Sequence, residues 1–249
     1  MKAFDLHCHF NHNVEGDTKT HELYYAGLEF LKKERERLDI EACAMTTYSS
    51  VLSKERVYEE NEYLHRLVQR EDWLYQWVVV NPRDIRTYLQ AEQMLAHKKV
   101  LGLKILCSTH QYTPTEYGDE IFAFANAHKA TLLMHPDNYE IMQALANKYP
   151  NMKLIIAHLG SMNHINAVKN AINGNIYVDT SGIASSQNNV IEYAVQELGS
   201  DKIYFGTDSY ACAFQKGRIL FANITQEDKE NILYKNALRD FPQLAVKSQ

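Results

Sequence analysis

The sequence alternates about eight times between short apolar segments and longer segments of helical periodicity. The apolar segments are rich in β-branched and aromatic residues, as strands are. The predicted strands cover residues 3–9, 41–48, 73–81, 100–106, 131–135, 153–159, 176–181 and 202–208. The predicted helices cover residues 22–38, 54–70, 83–97, 118–129, 139–149, 161–171 and 190–198. We expect a short helix after the eighth strand, and a last helix that begins at a capping box of Thr225 and Asp228.

This alternation limits the possible folds, because parallel strands need crossover connections and each connection here contains a helix. Eight such units in 249 residues predict an α/β protein with a single (β/α)8 TIM barrel domain over residues 1–249. A doubly wound open sheet is the alternative architecture. Its glycine-rich dinucleotide fingerprint is missing, since the first strand ends in His7-Cys8-His9.

Composition excludes several partners. The hydrophobic fraction is 45%, and the formal charge of -5 is too mild to favour nucleic acid or an anionic membrane. The four cysteines lie far apart in apolar segments and are interpreted as reduced thiols. No segment approaches the ~18 apolar residues of a membrane span, and the N-terminus lacks a signal-peptide pattern. We therefore expect a cytoplasmic protein.

Polar residues occur where the predicted strands end, and in a barrel these ends form the active site. His7 and His9 are two apart on one strand, so both side chains point to the same face. The residues that share this position are His7, His9, Lys104, His135, His158 and Asp208. Imidazole and carboxylate groups are common ligands of divalent metals. The alternatives are buried core histidines and, for Asp208, a cap of the following turn.

The pattern resembles the amidohydrolase superfamily of metal-dependent barrels, and more narrowly its amidohydrolase-2 branch. That branch includes small hydrolases, lactonases and the aminocarboxymuconate-semialdehyde decarboxylase group. The resemblance covers nearly the whole chain, including residues 178–182 and 236–241. One departure is Leu106, which stands where relatives commonly have a histidine two residues after the strand-four lysine.

The resemblance implies that His7, His9, His135 and Asp208 bind one divalent metal, with zinc expected and manganese as the alternative. These ligands would leave a position for water. His158 would act as a base or an electrophile, and Asp208 would also accept a proton. Lys104 is interpreted as a free amine near the metal or substrate. The alternative is a carbamylated Lys104 that bridges a second metal.

The main prediction is a metal-dependent hydrolase of an amide, ester or lactone bond in a small molecule. The alternative is a non-hydrolytic decarboxylase on the same scaffold, and a metal-retaining binding protein is the alternative outside enzymes. A TatD-like nuclease shares the opening motif but expects a glutamate in place of Lys104. The expected partner is a small molecule, without nucleic acid or membrane, and a homo-oligomer is left open.

Further expectations concern residues near the predicted cluster. Asp5 has the same parity as His7 and His9, so it is predicted to point inward, one layer deeper, as a hydrogen-bonding partner. His12, His21 and His110 fall in predicted loops above the barrel and are interpreted as surface polar residues.

Overall fold

The computed structural model describes residues 1–14 and 26–245. Within those residues, eight parallel strands form one sheet in the order β1 to β8. Their bounds are β1 Ala3–Phe10, β2 Ile40–Thr47, β3 Leu74–Val79, β4 Val100–Ile105, β5 Thr131–Met134, β6 Lys153–Ile156, β7 Ile176–Asp179 and β8 Ile203–Tyr204. Helices alternate with the strands, so the predicted single-domain TIM barrel is confirmed.

The described helices occupy the predicted connections with shifts of a few residues at their ends. Their bounds are α1 Leu28–Arg37, α2 Tyr48–Leu52, α3 Val57–Val68, α4 Ile85–Met94, α5 Pro114–Ala127, α6 Tyr139–Lys148, α7 Met162–Lys169, α8 Val190–Leu198, α9 Cys212–Leu220, α10 Gln226–Glu230 and α11 Asn236–Asp240. The capping box of Thr225 and Asp228 is present, but a π-helical turn at Asn231–Lys235 separates α10 from α11. Within residues 1–14 and 26–245, no helix combines the length and apolar character needed to cross a bilayer.

The barrel closes between β8 and β1 through the segment that follows the very short β8. The Leu6 amide donates a hydrogen bond of 2.9 Å to the Phe205 carbonyl. The Thr207 and Asp208 amides both donate to the His7 carbonyl, at 3.1 and 2.7 Å. The predicted strand 202–208 is therefore too long, because the backbone bends after Tyr204 and the bent segment forms the hydrogen bonds that close the barrel.

Apolar side chains fill the amino-terminal half of the barrel interior. Trp77 is buried there and donates its indole N–H to the Leu6 carbonyl at 2.8 Å. Phe241, just after α11, packs edge-on against Trp77 with ring centroids 5.9 Å apart. Apolar side chains therefore close the amino-terminal side of the interior, whereas His7, His9 and Lys104 are buried towards the carboxyl ends of the strands. We call the carboxyl ends of the strands the barrel mouth.

A bulge in β1 changes which way its residues point. Asp5 is opposite Cys43 on β2, whereas Cys8 is opposite Met45, so three steps on β1 match two steps on β2. Asp5 consequently lines a cavity on the helix side with Cys8 and Cys43. The prediction that Asp5 points inward with His7 and His9 is wrong, because strict alternation does not hold across a bulge. Its predicted role as a hydrogen-bonding partner is confirmed, since it accepts from Thr207 and His7.

Candidate functional site

A left-handed turn after β8 places Asp208 at the barrel mouth. Asp208 and Ser209 have φ angles of 60° and 59°, a conformation that costs energy in residues other than glycine. The Ser209 hydroxyl accepts from the His9 amide at 2.8 Å and donates to the His9 carbonyl. The Tyr48 hydroxyl donates to the Asp208 carbonyl at 3.1 Å. These bonds hold the turn against β1 and direct the Asp208 carboxylate towards the histidines.

His7 is oriented by a carboxylate from β7. Its Nδ1 lies 2.8 Å from Asp179 Oδ2 and 2.8 Å from the Ser181 hydroxyl. An ionised Asp179 only accepts hydrogen bonds, so Nδ1 carries the proton and Nε2 presents a lone pair. Lys104 Nζ donates to that Nε2 at 2.6 Å.

His9 faces the same point from two residues further along β1. Its Nδ1 lies 2.6 Å from the Thr46 hydroxyl at the end of β2. Its Nε2 is 3.1 Å from Asp208 Oδ1, which is also 3.7 Å from His7 Nε2. One carboxylate oxygen therefore lies within reach of both histidines of the first strand.

His158 and His135 form the other half of the cluster. His158 has a φ of 64°, and its amide donates to Asp179 at 3.1 Å. Its Nδ1 lies 3.0 Å from the Ser181 carbonyl, which only accepts, so Nε2 is left with a lone pair. That Nε2 is 3.2 Å from His135 Nε2. Asp179 thus positions both His7 and His158.

All six predicted site residues meet at the barrel mouth. Their potential ligand atoms form two groups within the described residues, each with all atoms within 4.8 Å of one another. One group is His7, His9 and Asp208, and the other is His7, His135 and His158. His7 belongs to both groups, and Lys104 touches it directly. We call these six residues the mouth cluster.

Burial keeps His7, His9 and His135 neutral. Burial, together with the Lys104 charge, lowers the pKa of His7 to about 3, and burial also lowers the pKa of His9 and His135. Burial lowers the pKa of Lys104 to about 8. For Asp208, burial opposes ionisation, but the hydrogen bond with His9 brings its pKa down to about 2. Neutral imidazoles and an ionised carboxylate are the protonation states that bind metals.

Asp179 and Ser181 were not among the predicted site residues. Asp179 ends β7 as a fully buried carboxylate, so the rule that polar residues at strand ends form the site applies to it as well. Burial opposes its ionisation, but the hydrogen bonds from His7 and Ser181 keep its pKa below the usual range. The pairing with His7 has no local sequence signal, because 172 positions separate the two residues.

The loop histidines differ from the prediction of surface polarity. His110 is completely buried, and its Nε2 lies 3.0 Å from the Ser50 carbonyl. That prediction is wrong for His110, because the loop after β4 folds under α2. His12 is partly buried and lies 2.8 Å from a Glu60 carboxylate oxygen. His21 lies outside the described residues.

A TIM barrel with histidines, a carboxylate and a lysine converging at its mouth has the architecture of the metal-dependent barrel enzymes. The chain belongs to the amidohydrolase-2 family, because the family model described as Amidohydrolase matches residues 4–243. No curated protein sequence matches the chain. The family that the sequence resembles is therefore confirmed.

Solved structures that share the fold include three decarboxylases. A 2,6-dihydroxybenzoate decarboxylase from Rhizobium has 13% identity and a TM-score of 0.74, covering 97% of this chain and 98% of its own. A dihydroxybenzoic acid decarboxylase from a Polaromonas species, with bound manganese and 2-nitroresorcinol, has 16% identity, a TM-score of 0.74 and 97% coverage of both chains. A 5-carboxyvanillate decarboxylase from Sphingomonas paucimobilis has 12% identity, a TM-score of 0.72 and coverage of 97% and 99%.

These structures correct the main functional prediction. Each of the three is named as a decarboxylase, so the prediction of a hydrolase of amide, ester or lactone bonds is wrong. The alternative of a non-hydrolytic decarboxylase agrees better with them. The expectation of zinc also lacks support, since the metal named with the Polaromonas protein is manganese. Identities of 12–16% establish the shared fold alone, so the activity of this chain is a matter for proposal.

Proposed function

We propose that this chain is a decarboxylase that depends on a divalent metal and breaks a carbon–carbon bond in a small carboxylated molecule without consuming water. The observation behind the proposal is the meeting of two ligand groups on His7 beside the Lys104 amine. The decarboxylase structures with the same barrel over nearly its whole length support this choice of reaction.

The spacing of the mouth cluster suits a metal. Two ligands at ~2.1 Å from one cation lie about 3.0–3.4 Å apart for octahedral or tetrahedral angles. The distance from Asp208 Oδ1 is 3.1 Å to His9 Nε2, within this range, and 3.7 Å to His7 Nε2, slightly above it. We assign the metal to His7, His9, His135 and Asp208. When bound, manganese or zinc would act as a Lewis acid on substrate oxygen atoms.

Lys104 supplies a buried positive charge for the substrate. Its amine donates a hydrogen bond to the Nε2 lone pair of His7. Because Nε2 has a single lone pair, it can either accept this hydrogen bond or bind a metal. Metal binding at His7 therefore frees Lys104 to donate elsewhere. A carboxylate of the substrate is a matching acceptor, because a buried ammonium is stabilised by an opposite charge.

The reaction needs one proton. As carbon dioxide leaves, the electron pair of the broken bond stays on the carbon, which must then be protonated. His158 Nε2 faces the cluster while its Nδ1 is bonded to the Ser181 carbonyl, so Nε2 is the nitrogen that can exchange a proton. We assign proton handling to His158, with Asp208 as the second acid–base group.

The test is decarboxylation of hydroxylated benzoates by manganese-loaded protein in D₂O, with 2,6-dihydroxybenzoate and 5-carboxyvanillate as probes. We expect one carbon dioxide per product and one deuterium at the carbon that lost the carboxylate. Chelator-treated protein and Lys104→Met should be inactive, while Lys98→Met, an exposed lysine, should match the wild type. Carbon dioxide release that persists without metal, or no release from any hydroxylated benzoate, would contradict the proposal.

A further inference from the structure

Three of the four cysteines of the chain line a single small cavity on the helix side of β1. Cys8 comes from β1, Cys43 from β2, and Cys212 is the first residue of α9. Asp5 lines the same cavity, whose volume of about 10 Å³ is the size of one water molecule or ion. We call these four residues the thiol cluster. Cys107, beyond the end of β4, is not among its lining residues.

The β1 bulge creates this arrangement. It turns Asp5 and Cys8 to the same side of the barrel wall, where Cys43 of the neighbouring strand also points. Potential ligand atoms of Asp5, Cys8 and Cys43 all lie within 4.8 Å of one another. The three side chains are buried on paired strands, so little conformational freedom would be lost on binding an ion.

The donor atoms have capacity for a cation. Asp5 Oδ1 accepts from the amides of His7 and Thr207, whereas within residues 1–14 and 26–245 Oδ2 accepts only from the Thr207 hydroxyl, at 2.6 Å. One lone pair of Oδ2 is therefore free of these bonds. The Cys8 thiol makes a long contact of 3.5 Å to the Ala44 carbonyl. Burial raises the pKa of Cys212 to about 12, so this thiol stays protonated without a cation.

We propose that the thiol cluster is a second metal site, closed and structural, that takes a thiophilic cation such as Zn²⁺ or Cd²⁺. Cys8, Cys43 and Asp5 bind the ion, and Cys212 lines the same cavity from α9. Each thiol that binds loses its proton to solvent as its sulfur–metal bond forms. The ion joins β1 to β2.

Ligand softness separates this site from the mouth cluster. Thiolates prefer Zn²⁺, Cd²⁺ and Cu⁺, whereas imidazoles with a carboxylate also accept Mn²⁺. The two sites therefore take different metals from a mixture. A second equivalent of zinc per chain belongs to the thiol cluster and does not require carbamylation of Lys104.

The test is titration of the full-length protein with Cd²⁺, monitored by the ultraviolet charge-transfer band that thiolate-bound cadmium gives and nitrogen- or oxygen-bound cadmium does not. We expect the wild type to develop the band and saturate at one equivalent. Cys43→Ala should lose it. Cys107→Ala is the matched control, since it removes a buried cysteine elsewhere, and it should retain the full band.

Absence of the band in the wild type, or an equal band in Cys43→Ala, would overturn the proposal. If Cys43→Ala fails to fold, the ¹¹³Cd resonance of the wild-type protein decides instead. A chemical shift typical of thiolate ligation supports the site, and only shifts typical of nitrogen and oxygen ligation refute it. Neither measurement depends on decarboxylase activity.

Discussion

His7 Nδ1 and Asp179 Oδ2 lie 2.8 Å apart, so the seventh strand orients a proposed metal ligand on the first. A carboxylate behind a ligating histidine fixes its tautomer and makes it more basic. Asp179→Asn keeps the shape but removes the charge, so we expect metal affinity to fall by about 10–100-fold. Competition with a chromophoric chelator measures this, with exposed Asp201→Asn as the control. Equal affinity in both variants would show that Asp179 does not tune His7.

His158 distinguishes proton transfer from metal binding. It belongs to a ligand group with His7 and His135, yet our proposal places it outside the metal ligands. His158→Asn should therefore abolish turnover and leave metal content unchanged. Metal analysis and carbon dioxide release on the same samples measure both, with exposed His128→Asn as the control. Loss of the metal in His158→Asn would instead make His158 a ligand.

Ser209 holds the left-handed turn in place. Its hydroxyl bonds both the amide and the carbonyl of His9, so Ser209→Ala leaves two buried backbone groups unpaired. We expect a loss of about 1–3 kcal/mol in the free energy of unfolding, with weaker metal binding because Asp208 is released. Urea unfolding and metal titration measure these effects. Replacement of the exposed Ser186 by alanine should change neither the stability nor the metal affinity. A Ser209→Ala protein with wild-type stability and metal affinity would show that Ser209 does not hold the turn in place.

Two glycines should respond oppositely to alanine. A Cβ at Gly206 would lie 2.9 Å from His7 Cβ and 3.0 Å from Ser181 Cβ, too close without displacing them. Gly206→Ala should lower the free energy of unfolding by about 1–3 kcal/mol and weaken metal binding. A Cβ at Gly217, inside α9, would meet nothing within 4 Å. Gly217→Ala should therefore raise the free energy of unfolding by up to about 1 kcal/mol. Thermal unfolding of both variants checks this, and the same sign for both would contradict it.

Asp240 should make stability depend on pH in acid. Burial opposes its ionisation, but hydrogen bonds from Arg239, Lys153 and Tyr204 lower its pKa from 3.8 to about 2. A carboxylate with a lowered pKa stabilises the fold above its unfolded pKa, and the effect is lost as pH falls from about 4 towards 2. After allowance for solvent screening, Asp240→Asn should lower the free energy of unfolding by about 1 kcal/mol at pH 7. The loss should become progressively smaller below pH 4. Urea midpoints between pH 7 and 2.5 test this, and a pH-independent difference would contradict it.

The barrel and the positions of its site residues could be predicted because both follow periodic patterns. Apolar runs at regular intervals predict parallel strands, and a polar residue at the end of a run predicts a side chain at the mouth. Those two rules were enough to bring His7, Lys104, His135 and Asp208 to one place. Asp179 ends its strand in the same way, and applying the rule to β7 would have found it.

Features that depend on distant parts of the chain could not be predicted. The bulge that turns Asp5 outward comes from pairing with β2, and strict alternation on β1 hides it. The short β8 reflects a turn held by bonds to His7 and His9, which lie about 200 positions away. The burial of His110 depends on contact with α2. The hydrolase prediction failed for a different reason, since one fold supports several reactions and a residue pattern does not specify which of them occurs.

The seam between β8 and β1 has a consequence for how the protein is made. His9 contacts Ser209 and Asp208 only after the intervening chain has been synthesised, since 200 positions separate His9 from Ser209. A nascent chain that has emerged as far as β7 contains all four histidines of the mouth cluster but not Asp208. The complete mouth cluster therefore forms only after β8 and the turn that follows it have been synthesised, when the entropic cost of closing that long loop has been met.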